Sequence, residues 1–208
     1  MIARCGRPAL DVDAFFLKNG DLKARKGPET PSPAARKPRR RFLAVLAGIA
    51  SAGLGGVRAA TPGEVPVGAQ LRDVTMTGLT VPYRRLSDFR GKPLIINVWA
   101  SWCGPCRAEM GSLERLSRLK GGQAFTVIGI STDDYPEAAL AFVQKTRTSF
   151  AHFIDQRLVL ENMLGANRLP LTVLVDAEGR VLDRIYGARE WDSPDAVRLV
   201  GKAFRLAL

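Results

Sequence analysis

The sequence of 208 residues predicts an α/β fold, and two kinds of pattern support this prediction. Residues 94–100 and 125–130 are continuous apolar runs, as expected of central strands that helices cover on both faces. A helical pattern follows each run. An apolar stripe that begins at Met110 follows the first, and Pro136 opens a helix after the second. Strands that alternate with helices are typical of the α/β class.

The remaining elements complete this pattern in chain order. Residues 71–80 alternate loosely and break at Gly78, which predicts a hairpin ahead of the first central strand. Three further extended segments are predicted, at 150–154, 171–176 and 180–186. Helices are predicted from the end of the first central strand to about residue 120, and then at 137–146, 156–164 and 193–207.

The segments ahead of these elements differ from them in composition. Residues 1–38 are rich in proline and basic side chains and show little periodicity, which predicts a disordered leader or a true start site further downstream. Residues 60–67 read as a short linker that contains two prolines and a glycine. We therefore expect one folded domain at 68–208.

An export signal is predicted at residues 39–59. Three consecutive arginines precede an apolar, glycine- and alanine-rich stretch at 42–57, which resembles the twin-arginine export motif. A membrane anchor through 42–57 is the alternative, but about 16 residues fall short of the roughly 20 that span a bilayer. Either way, we expect the domain in the periplasm or on the extracytoplasmic face of the inner membrane.

The net charge of +11 lies mostly in the leader. Residues 1–60 hold 12 basic and 4 acidic side chains, whereas residues 61–208 hold 19 and 16. The domain itself therefore offers no strongly basic face, and we expect no nucleic-acid partner.

Cys103 and Cys106 are separated by two residues where the first central strand gives way to a helix. Such a turn holds two thiols close enough to form a disulfide, and the partial positive charge of a helix N-terminus favours a thiolate. A purely structural disulfide across so small a loop would add little stability. Zinc needs about four ligands, and the other cysteine and histidine of the chain are Cys5, in the leader, and His152, so we expect no metal.

Residues 102–106 read Trp-Cys-Gly-Pro-Cys and resemble the active site of thioredoxins. Together with a Gly-Lys-Pro lead-in at 91–93 and a Leu-Pro segment at 169–179, they resemble the TlpA/ResA branch of exported thioredoxin-like proteins. The resemblance covers the chain from about Gly68 onward. It implies a thioredoxin fold, with a mixed central sheet flanked by helices, an N-terminal hairpin extension and a helical insertion at 151–165 before a cis-proline loop.

Catalytic roles follow from the motif and from this resemblance. Cys103, at the start of the helix, is expected to be the nucleophile, and Cys106, one turn in, to resolve the mixed disulfide. Glu109 lies three residues further on the same helix and is expected to exchange a proton with Cys106 or to raise its pKa. The alternative for Glu109 is a solvated surface residue. Asn97 stands where cytoplasmic thioredoxins place a buried aspartate.

The resemblance also implies a substrate-binding surface. Leu169 and Pro170, with a cis bond between them, are expected to lay backbone beside Cys103 and to pair with a substrate strand. Trp102 is expected to shape the docking surface. His152 is interpreted as a surface or packing residue rather than an acid or base, and residues 133–134, a pair of aspartates, as a solvated loop.

The function implied is an exported thiol–disulfide oxidoreductase that uses no cofactor and reduces disulfides of partner proteins, in roles such as cytochrome c maturation or oxidase assembly. It would draw electrons from a membrane donor. One alternative is a peroxiredoxin-like thiol peroxidase, although the Pro-x-x-x-Thr-x-x-Cys motif of those enzymes is missing before Cys103. The other is a non-catalytic, metal- or partner-binding module of the same fold.

Overall fold

The computed structural model describes residues 62–119 and 122–208. The predicted leader at 1–38 and the export signal at 39–59 lie outside these residues, as does the start of the linker at 60–67. Among the described residues, no helix has the length and apolar character needed to cross a membrane.

Seven strands and four α-helices make up the described part of the chain. The strands are β1 (Thr75–Gly78), β2 (Arg84–Arg85), β3 (Leu94–Trp99), β4 (Thr126–Ser131), β5 (Ala151–Ile154), β6 (Leu171–Val175) and β7 (Val181–Tyr186). The helices are α1 (Gly104–Ser117), α2 (Pro136–Thr146), α3 (Val159–Leu164) and α4 (Pro194–Phe204). Short 3-10 turns occupy Leu86–Phe89 and Gly122–Ala124.

The strands form one mixed sheet in the order β2-β1-β5-β4-β3-β6-β7. Strands β3, β4 and β5 run parallel, and β6 pairs antiparallel with β3. The register places Leu94 opposite Val175 and Val98 opposite Leu171. The C-terminal end of β3 therefore lies beside the start of β6, and the loops that follow β3 and precede β6 meet at one edge of the sheet.

The two faces of β3 serve different parts of the core, since successive side chains point to opposite faces of a strand. Ile96 and Val98 pack in a cluster with the hairpin and α3. Ile95 packs with α1 and α4, and Trp99 packs with α2 and the cysteine turn. All six residues of β3 are buried, which explains the continuous apolar run.

The N-terminal hairpin is present, but its position differs from the prediction. Strand β1 begins at Thr75 and pairs with Arg84–Arg85, so residues 79–83 form the turn. Leu71 is instead held by a backbone hydrogen bond to the carbonyl oxygen of Gly179, far along the chain. At Gly78 a Cβ atom would lie 1.7 Å from the carbonyl oxygen of Val81, so the chain folds back too closely for any side chain there.

The segment at 151–165, expected to be a helical insertion, is only partly helical. Its first four residues form β5, an internal strand between β1 and β4, and the helical part is limited to Val159–Leu164. Helices α1 and α4 also end about three residues earlier than predicted, at Ser117 and Phe204. These differences leave the α/β class and the mixed sheet as predicted.

Candidate active site

The cysteine turn lies at the junction of β3 and α1. Cys103 and Cys106 form a disulfide with a sulfur–sulfur distance of 2.05 Å and a Cα–Cα distance of 5.3 Å. Cys103 caps α1, because its sulfur accepts a hydrogen bond from the backbone N–H of Cys106 at 3.2 Å. Pro105 occupies the first turn, where no N–H is required.

The two sulfurs differ in accessibility. Cys103 is 6% exposed and Cys106 is fully buried. The exposure of Cys103 is smaller than its position at the start of a helix led us to expect. A partner can nevertheless approach only Cys103, because solvent does not reach Cys106.

Cys103 opens onto a groove of about 580 Å³. One wall is formed by the cysteine turn, including Trp102, which is 70% exposed. Leu169 also lines the groove, as does Leu158, the residue directly before α3, which is 39% exposed. The groove therefore places apolar surface beside Cys103.

Three of the predicted site residues, Trp102, Cys103 and Leu169, line this groove together. The bond between Leu169 and Pro170 is cis. Pro170 is buried and is not among the residues that line the groove, and its carbonyl oxygen accepts a hydrogen bond from Gly187. Of these two residues, Leu169 is therefore the one that faces the groove.

Glu109 is a buried carboxyl, not a solvated one, with 1% exposure. Its Oε1 accepts a hydrogen bond from the Asn97 side chain at 2.8 Å. Its Oε2 accepts from the indole N–H of Trp191 at 3.0 Å and from the backbone N–H of Arg189 at 3.1 Å. Its hydrogen-bond partners in residues 62–119 and 122–208 therefore do not include either cysteine.

Burial raises the pKa of the Glu109 carboxyl, and the three hydrogen bonds from Trp191, Asn97 and Arg189 oppose that rise. Each donor stabilises the charged form, whereas loss of water destabilises it. The balance leaves a carboxyl that holds its proton to higher pH than an ordinary glutamate.

Asn97 connects Glu109 to the strand that follows the cis-proline loop. Its side-chain amide also donates to the hydroxyl of Thr172 at 3.1 Å. Its Oδ1 atom has no hydrogen-bond partner among the described residues. The sequence singled out Asn97 and Glu109, but neither Trp191 nor Thr172 carried a local signal that they would reach the same point.

The position of Asp133 shows that the expectation of a solvated loop at residues 133–134 is wrong for the first of these two residues. It is 2% exposed, whereas Asp134 is exposed. The Asp133 carboxylate accepts hydrogen bonds from Ser101, directly before Trp102, and from Ser131. One signal could have found it, since residues that follow parallel strands gather at the edge of the sheet where ligands bind.

His152 is a packing residue in the core behind the cysteine turn. It is fully buried, its ring centroid lies 5.5 Å from that of Trp99 and 4.6 Å from that of Phe150, and its Nε2 lies 2.8 Å from the hydroxyl of Thr148. Its Nδ1 has no partner among the described residues. Burial lowers the pKa of His152 to about 4, although the charge of Glu114 acts in the opposite direction.

Comparison with known proteins places this arrangement in a family. Residues 66–200 match the family model for Redoxin. The thiol-disulfide oxidoreductase ResA of Geobacillus kaustophilus is 30% identical over 123 residues, which cover 59% of this chain and 71% of that protein. The thiol:disulfide interchange protein DsbE of Pseudomonas aeruginosa is 31% identical over 134 residues, which cover 61% of this chain and 71% of that protein.

A solved structure has a similar fold. The crystal structure of a putative thiol:disulfide interchange protein DsbE from Chlorobium tepidum superposes with a TM-score of 0.60 at 25% identity, covering 67% of this chain and 99% of that one. The superposition shows that the mixed sheet and its helices share the fold of that protein. On this evidence the chain belongs to the Redoxin family and is a thiol–disulfide oxidoreductase.

Proposed function

We propose that this oxidoreductase works as an exported reductant of disulfides in partner proteins, with Cys103 as the attacking and Cys106 as the resolving cysteine. The observation that carries this proposal is the position of Cys103, the accessible member of the pair, at the edge of an open groove. The sulfur of Cys106 is buried, so it can react only with an adjacent group within the protein. That group is the Cys103 sulfur, to which it is bonded at 2.05 Å.

The proposed reaction starts from the dithiol form. The Cys103 thiolate attacks one sulfur of the partner's disulfide, forming a mixed disulfide and releasing the other sulfur as a thiolate. Cys106, once deprotonated, attacks the Cys103 sulfur and releases the second partner thiolate. Two electrons pass from the dithiol to the partner, whose two thiolates take up the two protons. The oxidised form then needs two electrons from a donor dithiol, which we place in the membrane.

Glu109 is proposed as the group that exchanges a proton with Cys106. Both residues are buried, and a spacing of three residues places them on similar faces of α1. The raised pKa of Glu109 supports this role, because burial moves it from its ordinary acidic value toward the working pH, which favours proton transfer.

Trp102, Leu169 and Pro170 are proposed to bind the partner. Trp102 offers a large exposed ring, and aromatic side chains of this kind contribute strongly to protein interfaces. Leu169 faces the same groove, and Pro170 is buried directly after it, with its carbonyl oxygen held by the backbone N–H of Gly187. An extended segment of the partner could then lie along the loop with its disulfide above Cys103.

The domain organisation and location form part of the proposal. We assign residues 1–38 to a leader, 39–59 to an export signal, 60–67 to a linker and 68–208 to the catalytic domain. A tether through 42–57 remains the alternative to cleavage. Cytochrome c maturation and oxidase assembly are the classes of role that fit an exported reductant of this kind.

The direction of electron flow rests on Gly104–Pro105. This pair resembles that of thioredoxin, with a potential near −270 mV, and not that of oxidants near −120 mV. Equilibration of the full chain with glutathione buffers measures the potential directly. A value above about −180 mV would refute the reducing role.

Trapping tests the proposed partners. In a Cys106→Ser variant, Cys103 still attacks but the mixed disulfide cannot be resolved, so partner proteins should accumulate as adducts that dithiothreitol releases. The matched Cys103→Ser variant, with only the buried cysteine left, should trap none. Equal trapping by both variants would contradict the assignment of Cys103 as nucleophile. Rapid consumption of hydrogen peroxide by the reduced chain would instead favour a thiol peroxidase. Stoichiometric binding of copper would favour a metal-binding module.

A further inference from the structure

Asp133 sits directly after β4 and reaches across to the loop that follows β3. Its Oδ2 accepts hydrogen bonds from the backbone N–H of Ser101 at 2.9 Å and from the hydroxyl of Ser131 at 2.7 Å. Its Oδ1 accepts from the hydroxyl of Ser101 at 2.6 Å. The hydroxyl of Ser131 in turn accepts from the backbone N–H of Asp133 at 3.1 Å. Two adjacent loops are thereby joined by one carboxylate.

Such a buried carboxylate needs an explanation. A buried charge is costly unless it is paired or well hydrogen-bonded. Within the described part of the chain, no ion pair includes Asp133. Both of its oxygens accept hydrogen bonds, from the backbone N–H and the hydroxyl of Ser101 and from the hydroxyl of Ser131. An uncharged residue could fill the same space more cheaply, so stability alone does not account for Asp133.

The position of these contacts connects Asp133 to the reaction. Ser101 lies two residues before Cys103, and the backbone N–H of Cys103 donates to the carbonyl oxygen of Ala100 at 3.1 Å, closing a turn. Thr132 and Asp134, the neighbours of Asp133, line the same groove as Cys103. Asp133 therefore ties the turn that presents the attacking sulfur to the wall of the groove.

The charge of Asp133 acts on the same sulfur. Chain geometry limits the path from the Asp133 carboxylate through Ser101 to the Cys103 sulfur to about 15 Å at full extension, and the closed turn makes it shorter. Like charges at such distances in a partly buried site repel one another. A fixed negative charge there destabilises the Cys103 thiolate, and with it the dithiol form that contains it.

We infer that Asp133 is a positioning residue for disulfide exchange, which fixes the Ser101–Cys103 turn and by its charge makes the dithiol a stronger reductant. This inference rests on the proposed nucleophilic role of Cys103. It predicts that loss of the charge makes the Cys103 thiolate form at lower pH and makes the protein easier to reduce.

The main test is Asp133→Asn, measured on the full chain. The amide keeps the shape of the side chain, so the turn can stay in place while the charge disappears. The pH at half-maximal alkylation of reduced Cys103 should fall by at least 0.5, a threefold change in the acid dissociation constant. The equilibrium with glutathione should shift at least threefold toward the dithiol, which corresponds to about 14 mV.

Asp176→Asn is the matched control. Asp176 also accepts backbone hydrogen bonds in a turn, from Glu178 at 3.0 Å and Arg180 at 2.7 Å. It follows β6 at the opposite end of the sheet from Cys103, since Val175 pairs with Leu94. This variant should leave the alkylation midpoint and the glutathione equilibrium within 1.5-fold of the parent.

The inference is overturned if Asp133→Asn changes only the melting temperature, with the alkylation midpoint and the glutathione equilibrium within 1.5-fold of the parent. It is also overturned if Asp176→Asn produces the same shifts as Asp133→Asn.

If Asp133→Asn does not fold, the variant Ser101→Ala provides the test. It keeps the charge but removes one contact to the turn, so kcat/KM for insulin reduction should fall at least threefold, and a change below twofold refutes the positioning role. A parent chain that reduces no disulfide would refute the proposed function itself, whereas an active parent with unaffected variants refutes only this inference.

Discussion

Lowering the pH from 7 to 4 is expected to destabilise this fold through one side chain, His152. It is the single histidine of the sequence, and the core behind the cysteine turn buries it completely. Burial holds the pKa of the folded-state imidazole at about 4, whereas the unfolded chain binds the proton at the ordinary 6.5. The unfolded state therefore takes up a proton between these values and gains stability relative to the fold as pH falls.

The magnitude follows from this pKa difference. One pKa unit corresponds to about 1.4 kcal/mol, so the fold should lose about 3 kcal/mol at His152 between pH 7 and pH 4. The loss begins as the pH falls through 6.5 and is nearly complete at the folded pKa of about 4. Glu109 and Asp155, whose pKa values burial raises, respond in the opposite sense, so the effect must be isolated by comparison with a variant.

The assay compares the parent with His152→Gln, whose amide retains a polar group that can reach Thr148. Urea unfolding at intervals between pH 7 and pH 4 gives the free energy of unfolding of each protein. The difference between the two should change by about 3 kcal/mol over this range, in favour of the variant at low pH, because the contributions of all other groups cancel. A change below 1 kcal/mol would refute the reasoning that burial keeps His152 neutral.

Three further predictions concern other sites. As pH rises above 4.5, Glu109→Gln should lose less stability than the parent, because a carboxyl with a raised folded-state pKa destabilises the fold once it ionises. Urea unfolding between pH 5 and pH 8 measures this difference. Trp102→Ala should lower kcat/KM for insulin reduction about tenfold, or about 1.4 kcal/mol, with less than a twofold effect on a small aromatic disulfide that cannot fill the groove. Leu113→Ala, at a fully buried position of α1, should lower the free energy of unfolding by about 3 kcal/mol through the cavity it leaves.

Each of these predictions has a control and a contrary outcome. Parallel stability curves for the parent and Glu109→Gln would show that this carboxyl titrates normally. Tyr135→Ala removes a ring that is 73% exposed but does not line the groove, so equal losses with Trp102→Ala would contradict a specific docking role. Gln144→Ala, at an exposed position of α2, should change stability by less than about 0.5 kcal/mol, and a similar cost at Leu113 would contradict its core position.

The sequence predicted the centre of the fold better than its edges. Strands β3 and β4 are buried on both faces, so their apolar runs are continuous and leave little ambiguity. The hairpin was misplaced because its start is set by distant contacts. The backbone N–H of Leu71 donates a hydrogen bond to the carbonyl oxygen of Gly179, and a local sequence pattern does not predict a partner more than a hundred residues away.

The same distinction applies to the site. Cys103 and Cys106 could be identified because both thiols lie within one short turn of the chain. Trp191 could not, since it reaches the site from an element far from it in sequence, and the signal for Asp133 was limited to its position directly after a parallel strand. Asp133 and Asp134 are also identical in type and adjacent, yet one is buried and one is exposed, and only the tertiary packing separates them.

The three indole rings of this chain occupy three different environments. Trp102 is 70% exposed, Trp99 is buried with an N–H that has no acceptor among the described residues, and Trp191 is buried with its N–H bonded to Glu109 at 3.0 Å. Aqueous iodide should therefore quench the fluorescence of Trp102 alone, so a bound partner can be detected without a label. In proton–nitrogen spectra, the indole signal of Trp191 should move as Glu109 gains or loses its proton. The fold thus contains separate optical and magnetic probes of docking and of protonation.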